Sequence, residues 1–179
     1  MSTTKISIRP TLILAAICLL ATLLLAGLNR LTTPIIAANE EQAANETYAA
    51  LLPNADGFTA LACEIDGVTA VMKANNGVGY VITAESRGYG GQVPAAVAFS
   101  PEGTILGVTM MDNSETPGLG QKVTETAFSG QFAGRAAAQF TIDEIDAVTG
   151  ATISSKAAVS AINLAIEAYQ EIGGEEHAQ

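Results

Sequence analysis

Residues 93–111, VPAAVAFSPEGTILGVTMM, read as two strands folded back on each other. Val93–Phe99 and Thr104–Met111 are short runs of apolar and β-branched residues, and Ser100-Pro101-Glu102-Gly103 between them supplies turn chemistry. This hairpin sets the texture of the middle of the chain. Further runs at 58–65, 68–74 and 78–85 are separated by Asp66-Gly67 and Asn75-Asn76-Gly77, which mark turns of the same kind. Downstream, a short helix is expected within 121–132 and a strand near 136–142. Val159, Ile162, Ile166 and Tyr169 then recur at helical spacing, which points to a helix capped by Ser154 or Ser155 and ended near Ile172 by Gly173-Gly174. The expected fold class is α+β, with a mainly antiparallel sheet and a C-terminal helix.

Upstream the composition changes. Thr11 to Leu28 is an uncharged stretch of 18 residues. As a helix it is roughly 27 Å long, enough to cross a hydrocarbon core of about 30 Å. Lys5 and Arg9 precede it and Arg30 follows it, a bias that favours a cytoplasmic N-terminus. A cleaved leader has the same polarity, but the apolar run exceeds the usual leader length of about 7–15 residues, and no A-x-A site stands close behind it. Thr33 and Pro34 read as the N-cap and first residue of a second helix ending at Pro53. The resulting division is a cytoplasmic N-terminus at 1–10, a single N-terminal transmembrane helix at 11–29 in contact with membrane lipid, a helical stalk at 30–54, one domain at 55–174 and a polar tail at 175–179.

Charge and cysteine content exclude several functions. All 18 acids of the chain lie beyond residue 30, against five bases there (Lys73, Arg87, Lys122, Arg135 and Lys156), a net of −13. Such a domain has no electrostatic footprint for nucleic acid and is repelled by anionic lipid. Cys18 and Cys63 are the two cysteines and His177 the one histidine, so zinc, iron–sulfur and histidine-based catalytic sites lack their ligands.

Three glycine-containing segments stand out. Arg87-Gly88-Tyr89-Gly90-Gly91 is either a plain turn or a backbone that approaches a ligand closely, with Tyr89 as a stacking face and Gly91 beside it. Glu115-Thr116-Pro117-Gly118-Leu119-Gly120 fixes an irregular loop after a strand and matches neither a Walker phosphate loop nor a dinucleotide fingerprint. Asp146-Ala147-Val148-Thr149-Gly150-Ala151-Thr152-Ile153-Ser154-Ser155 brings hydroxyls and free N–H groups to a helix N-terminus. That is either simple capping or an anion site.

Thr149-Gly150-Ala151-Thr152, with Asp146 three residues before it, resembles the flavinylation motif of the FMN-binding domain family. With GYGG at 88–91 and ETPGLG at 115–120 in the same order behind one membrane helix, the chain resembles the G subunits of Rnf-type ion-translocating electron-transport complexes. The C subunits of sodium-pumping NADH:quinone oxidoreductases share these motifs. The resemblance implies FMN joined through its phosphate to Thr152 by a flavin transferase, with Thr149, Gly150, Ala151, Ser154 and Ser155 around the phosphate. It further implies Glu115, Thr116, Gly118 and Leu119 as flavin contacts. Lys122 is either a charge near the flavin or an exposed helix lysine. The implied role is electron relay, with other membrane subunits as partners, in a ferredoxin:NAD oxidoreductase coupled to Na⁺ or H⁺ transport, with no activity of its own. The protein would sit in the inner (plasma) membrane with its FMN domain outside the cytoplasm. The alternatives are a quinone-reductase C subunit, an FMN carrier for another extracytoplasmic reductase, and an anchor protein whose TGAT is only a helix cap.

Overall fold

The computed structural model describes residues 8–176; Lys5 and the rest of 1–7, and His177 with the end of the tail, lie outside them. Contacts divide the chain into two compact units, the first through Ala44 and the second from Asn45.

Helix α1, Ile8–Leu51, is one continuous helix with Pro34 inside it. The expected start of a separate helix at Thr33-Pro34 is therefore not found. Proline in a helix interior loses one hydrogen bond and crowds the preceding turn. Here the Thr33 hydroxyl donates to the Asn29 carbonyl at 2.7 Å and the Thr32 hydroxyl to the Leu28 carbonyl at 3.1 Å, so side chains supply donors to that turn. In the first unit the most apolar 18-residue window of the helix has a mean hydropathy of 2.6, with none of it buried. Length and composition make it a candidate membrane span.

The second unit is a five-stranded antiparallel meander in the order β1-β2-β3-β4-β5: β1 Phe58–Leu61, β2 Val68–Ala74, β3 Tyr80–Arg87, β4 Gln92–Phe99 and β5 Ile105–Met110. The hairpin expected over 93–111 forms, with Val97 opposite Val108 and an irregularity between Ala98 and Phe99. Its turn closes through Ser100 N–H to the Thr104 carbonyl at 2.8 Å, and Gly103 takes a φ of +83° that favours glycine.

Helix α3, Thr152–Glu176, lies across one face of the sheet. Ala157, Ala158, Ala161, Ala165 and Ala168 are buried there with Ile162 and Ile166, and these small side chains let the helix approach Ile82, Val97 and Phe99 closely. Tyr169 stacks on Phe99 at 4.6 Å between ring centroids and donates its hydroxyl to the Ser100 carbonyl, which fixes the helix to the β4–β5 turn. The opposite face is also covered. Tyr48 and Leu52, at and just past the end of α1, are buried, and the Tyr48 hydroxyl meets that of Thr83 at 3.2 Å. As a result Ala95, Ala96, Val97 and Ala98 of β4 are all fully buried.

Four local expectations need correction. Ser154 and Ser155 do not cap α3, which begins two residues earlier at Thr152. Gly173 and Gly174 do not end it, because glycine weakens a helix without forbidding it. No strand forms near 136–142: Ala136 makes a single bridge to Thr104, and Phe140 turns into the core against Phe132. The expected helix within 121–132 is a 3-10 turn, Gly120–Thr124, followed by a short α2, Thr126–Ser129.

Candidate functional site

The three glycine-containing segments converge. The first joins β3 to β4, the second follows β5, and the third leads into α3. Between them lies a cavity of about 520 Å³. Tyr89 lines it from the first segment, Glu115, Thr116, Leu119 and Gly120 from the second, and Gly150 through Ser154 from the third.

Glu115 organises the wall. Its side chain is 1% exposed, yet each carboxylate oxygen has a donor. Oε1 accepts from Gly90 N–H at 2.9 Å, and Oε2 accepts from the Ser154 hydroxyl at 2.5 Å, a length typical of a charge-assisted bond. Its own N–H donates to Asn113 Oδ1 at 3.1 Å, which holds the loop in an Asx turn. Burial pushes the Glu115 carboxyl up. The bonds from Ser154 and from the backbone N–H groups of Gly90, Gly91 and Tyr89 pull it down further, so it stays below the usual carboxylate range.

The glycines are explained by this packing more than by turn geometry. A Cβ on Gly88 would run into Glu115 Oε1, and one on Gly90 into the Ser114 carbonyl oxygen. A Cβ on Gly120 would lie 2.8 Å from both Glu115 Oε2 and Ser154 Oγ. Gly150 instead needs its freedom, with a φ of +80° just before α3.

At the start of α3 the N–H groups of Thr152, Ile153 and Ser154 precede the first intrahelical bond, from Ser155 N–H to the Ala151 carbonyl. They belong to residues that line the cavity, at the positive end of the helix dipole. The four hydroxyls there differ sharply. Ser155 is buried and its Oγ accepts from Val148 N–H at 3.0 Å, while Ser154 is buried and committed to Glu115. Thr149 and Thr152 are exposed, and only Thr152 of these two lines the cavity. Asp146 is also exposed, its backbone held by the Gln131 amide through bonds of 2.7 and 3.3 Å.

Of the residues singled out in the sequence, Tyr89, Glu115, Thr116, Leu119, Gly150, Ala151, Thr152 and Ser154 are brought together. Gly91, Gly118, Lys122, Thr149 and Ser155 stand next to this group in the chain without lining the cavity. Gly120 and Ile153 line it and were missed as contacts. Ile153 had a readable signal, since it is an apolar residue off the buried stripe of α3 and is 55% exposed. With Leu119 at 42% and Tyr89 at 73%, it makes an apolar rim above a polar floor.

A largely apolar cleft with a few convergent polar groups is the usual form of a cofactor site, and the volume falls in that range. The chain is a flavoprotein of the FMN-binding-domain class: residues 88–167 match the model of the FMN-binding domain, and residues 1–51 match that of the RnfG N-terminal region. It belongs to the family of G subunits of ion-translocating oxidoreductase complexes. It is 34% identical over 157 residues to the G subunit of the proton-translocating ferredoxin:NAD(+) oxidoreductase complex of Clostridium ljungdahlii, covering 84% of each chain. It is 37% identical over 106 residues to the G subunit of the Na(+)-translocating ferredoxin:NAD(+) oxidoreductase complex of Acetobacterium woodii, covering 53% of this chain and 51% of that one. The fold resembles that of Shewanella oneidensis NqrC, with a TM-score of 0.52 over 68% of this chain and 70% of that one, at 22% identity.

The residues present fit FMN. Helix-end N–H groups suit a phosphate, and the Tyr89–Leu119–Ile153 rim suits a flat apolar ring.

Proposed function

We propose that this chain carries FMN as a phosphoester on Thr152 Oγ1 and relays electrons between neighbouring subunits of a membrane-bound ferredoxin:NAD oxidoreductase that moves Na⁺ or H⁺. The observation that carries the attachment site is the division of labour among the four hydroxyls. Thr152 alone is both exposed and cavity-lining, while Ser154 and Ser155 are turned inward and already bonded. A phosphate on Thr152 meets the N–H groups of the first turn of α3, which stabilise its charge without a cationic side chain.

The FMN ring supplies the redox chemistry when bound. The protein's part is to hold it at a fixed place, with Tyr89, Leu119 and Ile153 against its apolar surface. Electron relay asks for no general acid or nucleophile at the site. An anchored chain with a cytoplasmic N-terminus places the FMN domain on the outer side of the plasma membrane, where a covalent tether prevents loss of the cofactor. Maturation needs a flavin transferase. The two relatives differ in the ion their names give, so the coupling ion is read as a property of other subunits.

The test is peptide mass spectrometry of the full chain co-expressed with a flavin transferase, beside Thr152→Ala. An FMN phosphoester increment on the peptide spanning Thr152, absent from the variant, is the expected result. An unmodified Thr152 beside an active transferase would reduce TGAT to a helix start.

A further inference from the structure

Among the described residues Glu115 is the one charged side chain that is buried, and it is buried in the wall of the cavity. No lysine or arginine among those residues pairs with it; its two oxygens are held by a hydroxyl and by backbone N–H groups. The charge is thus stabilised by dipoles alone. A salt bridge would cancel the field of the carboxylate at short range, whereas N–H and O–H dipoles leave much of it projecting into the cavity. Burial keeps counter-ions away, so salt screens that field weakly.

A tie between loops needs no charge. A neutral amide makes bonds of similar geometry without the penalty of burying an ion. Yet every group that meets the two oxygens here can donate, the Ser154 hydroxyl and the N–H groups of Gly90, Gly91 and Tyr89, while Gly88, Gly90 and Gly120 leave the room in which Glu115 and its loop sit. A reason for keeping the charge lies in the group beside it. An anion fixed next to a redox-active ring disfavours every added electron, because the reduced ring is more negative than the oxidised one.

We propose that the Glu115 carboxylate is a built-in negative charge that lowers the reduction potential of the flavin in this cavity, with Ser154 and the 88–91 backbone positioning it. This rests on the FMN reading above. It assigns Ser154 a positioning role, distinct from the phosphate contact expected of it, since its hydroxyl proton is already given to Glu115.

The experiment is spectroelectrochemical titration of the flavinylated full chain in detergent, with flavin loading checked by intact mass. Glu115→Gln is expected to load flavin and to shift the midpoint to higher potential. Ser154→Ala, which keeps the charge, is expected to shift it much less. An unchanged midpoint in loaded Glu115→Gln overturns the inference while leaving the FMN assignment intact, and equal shifts in both variants overturn it in favour of general loop disturbance. A wild-type chain that takes no flavin removes both. A second measurement needs no variant: with ¹³C-labelled glutamate, the reduced-minus-oxidised infrared spectrum of the wild-type chain is expected to show a perturbed carboxylate stretch. A flat difference spectrum in that region overturns the inference even if Glu115→Gln fails to fold.

Discussion

On the face of the sheet covered by α3, Phe99, Ile82, Ile162 and Ile166 are held by apolar packing alone. Around the cavity, three segments are held by one carboxylate and by glycines that make room for it. Both regions are buried and close-packed, but they obey different rules. The core tolerates exchange among apolar residues of similar volume. The cavity wall accepts far fewer substitutions, because the buried acceptor atoms must keep their donors and the glycines around them leave no room for a side chain.

Truncation of the core gives the largest expected effect. Phe132→Ala, which removes a fully buried ring packed on Phe128 and Phe140, should cost about 3–5 kcal/mol in denaturant unfolding of the full chain. Glu115→Ala should follow at about 1.5–3 kcal/mol, the range for losing hydrogen bonds to a charged group. Were it to cost no more than a surface change, the cavity wall would not depend on its carboxylate, and the contrast between wall and core would fail.

Acid sharpens the same contrast. Glu115 is held below its ordinary value of 4.5, so the unfolded chain binds its proton at a higher pH than the folded one. Its contribution is complete above the ordinary carboxylate range and is lost as pH falls through the lowered value. The slope of unfolding free energy against pH below 4.5 should therefore be shallower in Glu115→Gln than in the wild-type chain. Phe132→Ala should keep the wild-type slope. Thr152→Ala, at an exposed helix start where alanine is well accommodated, should change stability by less than about 0.5 kcal/mol while losing the FMN mass increment.

The two regions also differ in how far they could be read in advance. The β4–β5 hairpin and the apolar stripe of α3 were legible because each buries one side of a periodic element, and period survives in sequence. Boundaries were not. Pro34 fits both the first turn and the interior of a helix, and residue preference alone does not choose the interior position it takes in the continuous α1. Gly134 to Ala137 makes a few backbone bonds to Gly103 and Ile105 beside the edge strand β5, but the alanine-rich run that follows has little strand preference and leaves the sheet as Phe140 turns inward onto Phe132.

At the site, hydroxyls before an apolar helical run announced a helix N-terminus. The burial of Glu115 was hidden, since a glutamate between Ser114 and Thr116 reads as a solvated loop residue. Gly88, Gly90 and Gly120 were its visible shadow, too far apart in sequence to be connected without the fold. Ile153 was legible by contrast, being apolar where the helical period calls for nothing apolar.

Every buried side-chain nitrogen and oxygen among the described residues already has a hydrogen-bond partner within the chain. The reactive hydroxyl proposed at Thr152 stands outside that closed set, on the surface of a helix whose opposite side is locked into the core. On the attachment proposed above, a modifying enzyme can act on the finished domain, because the fold leaves this hydroxyl exposed. Shortage of cofactor would then leave a reserve of folded, unloaded subunits able to be charged later, so that capacity for electron flow follows flavin supply without new protein synthesis.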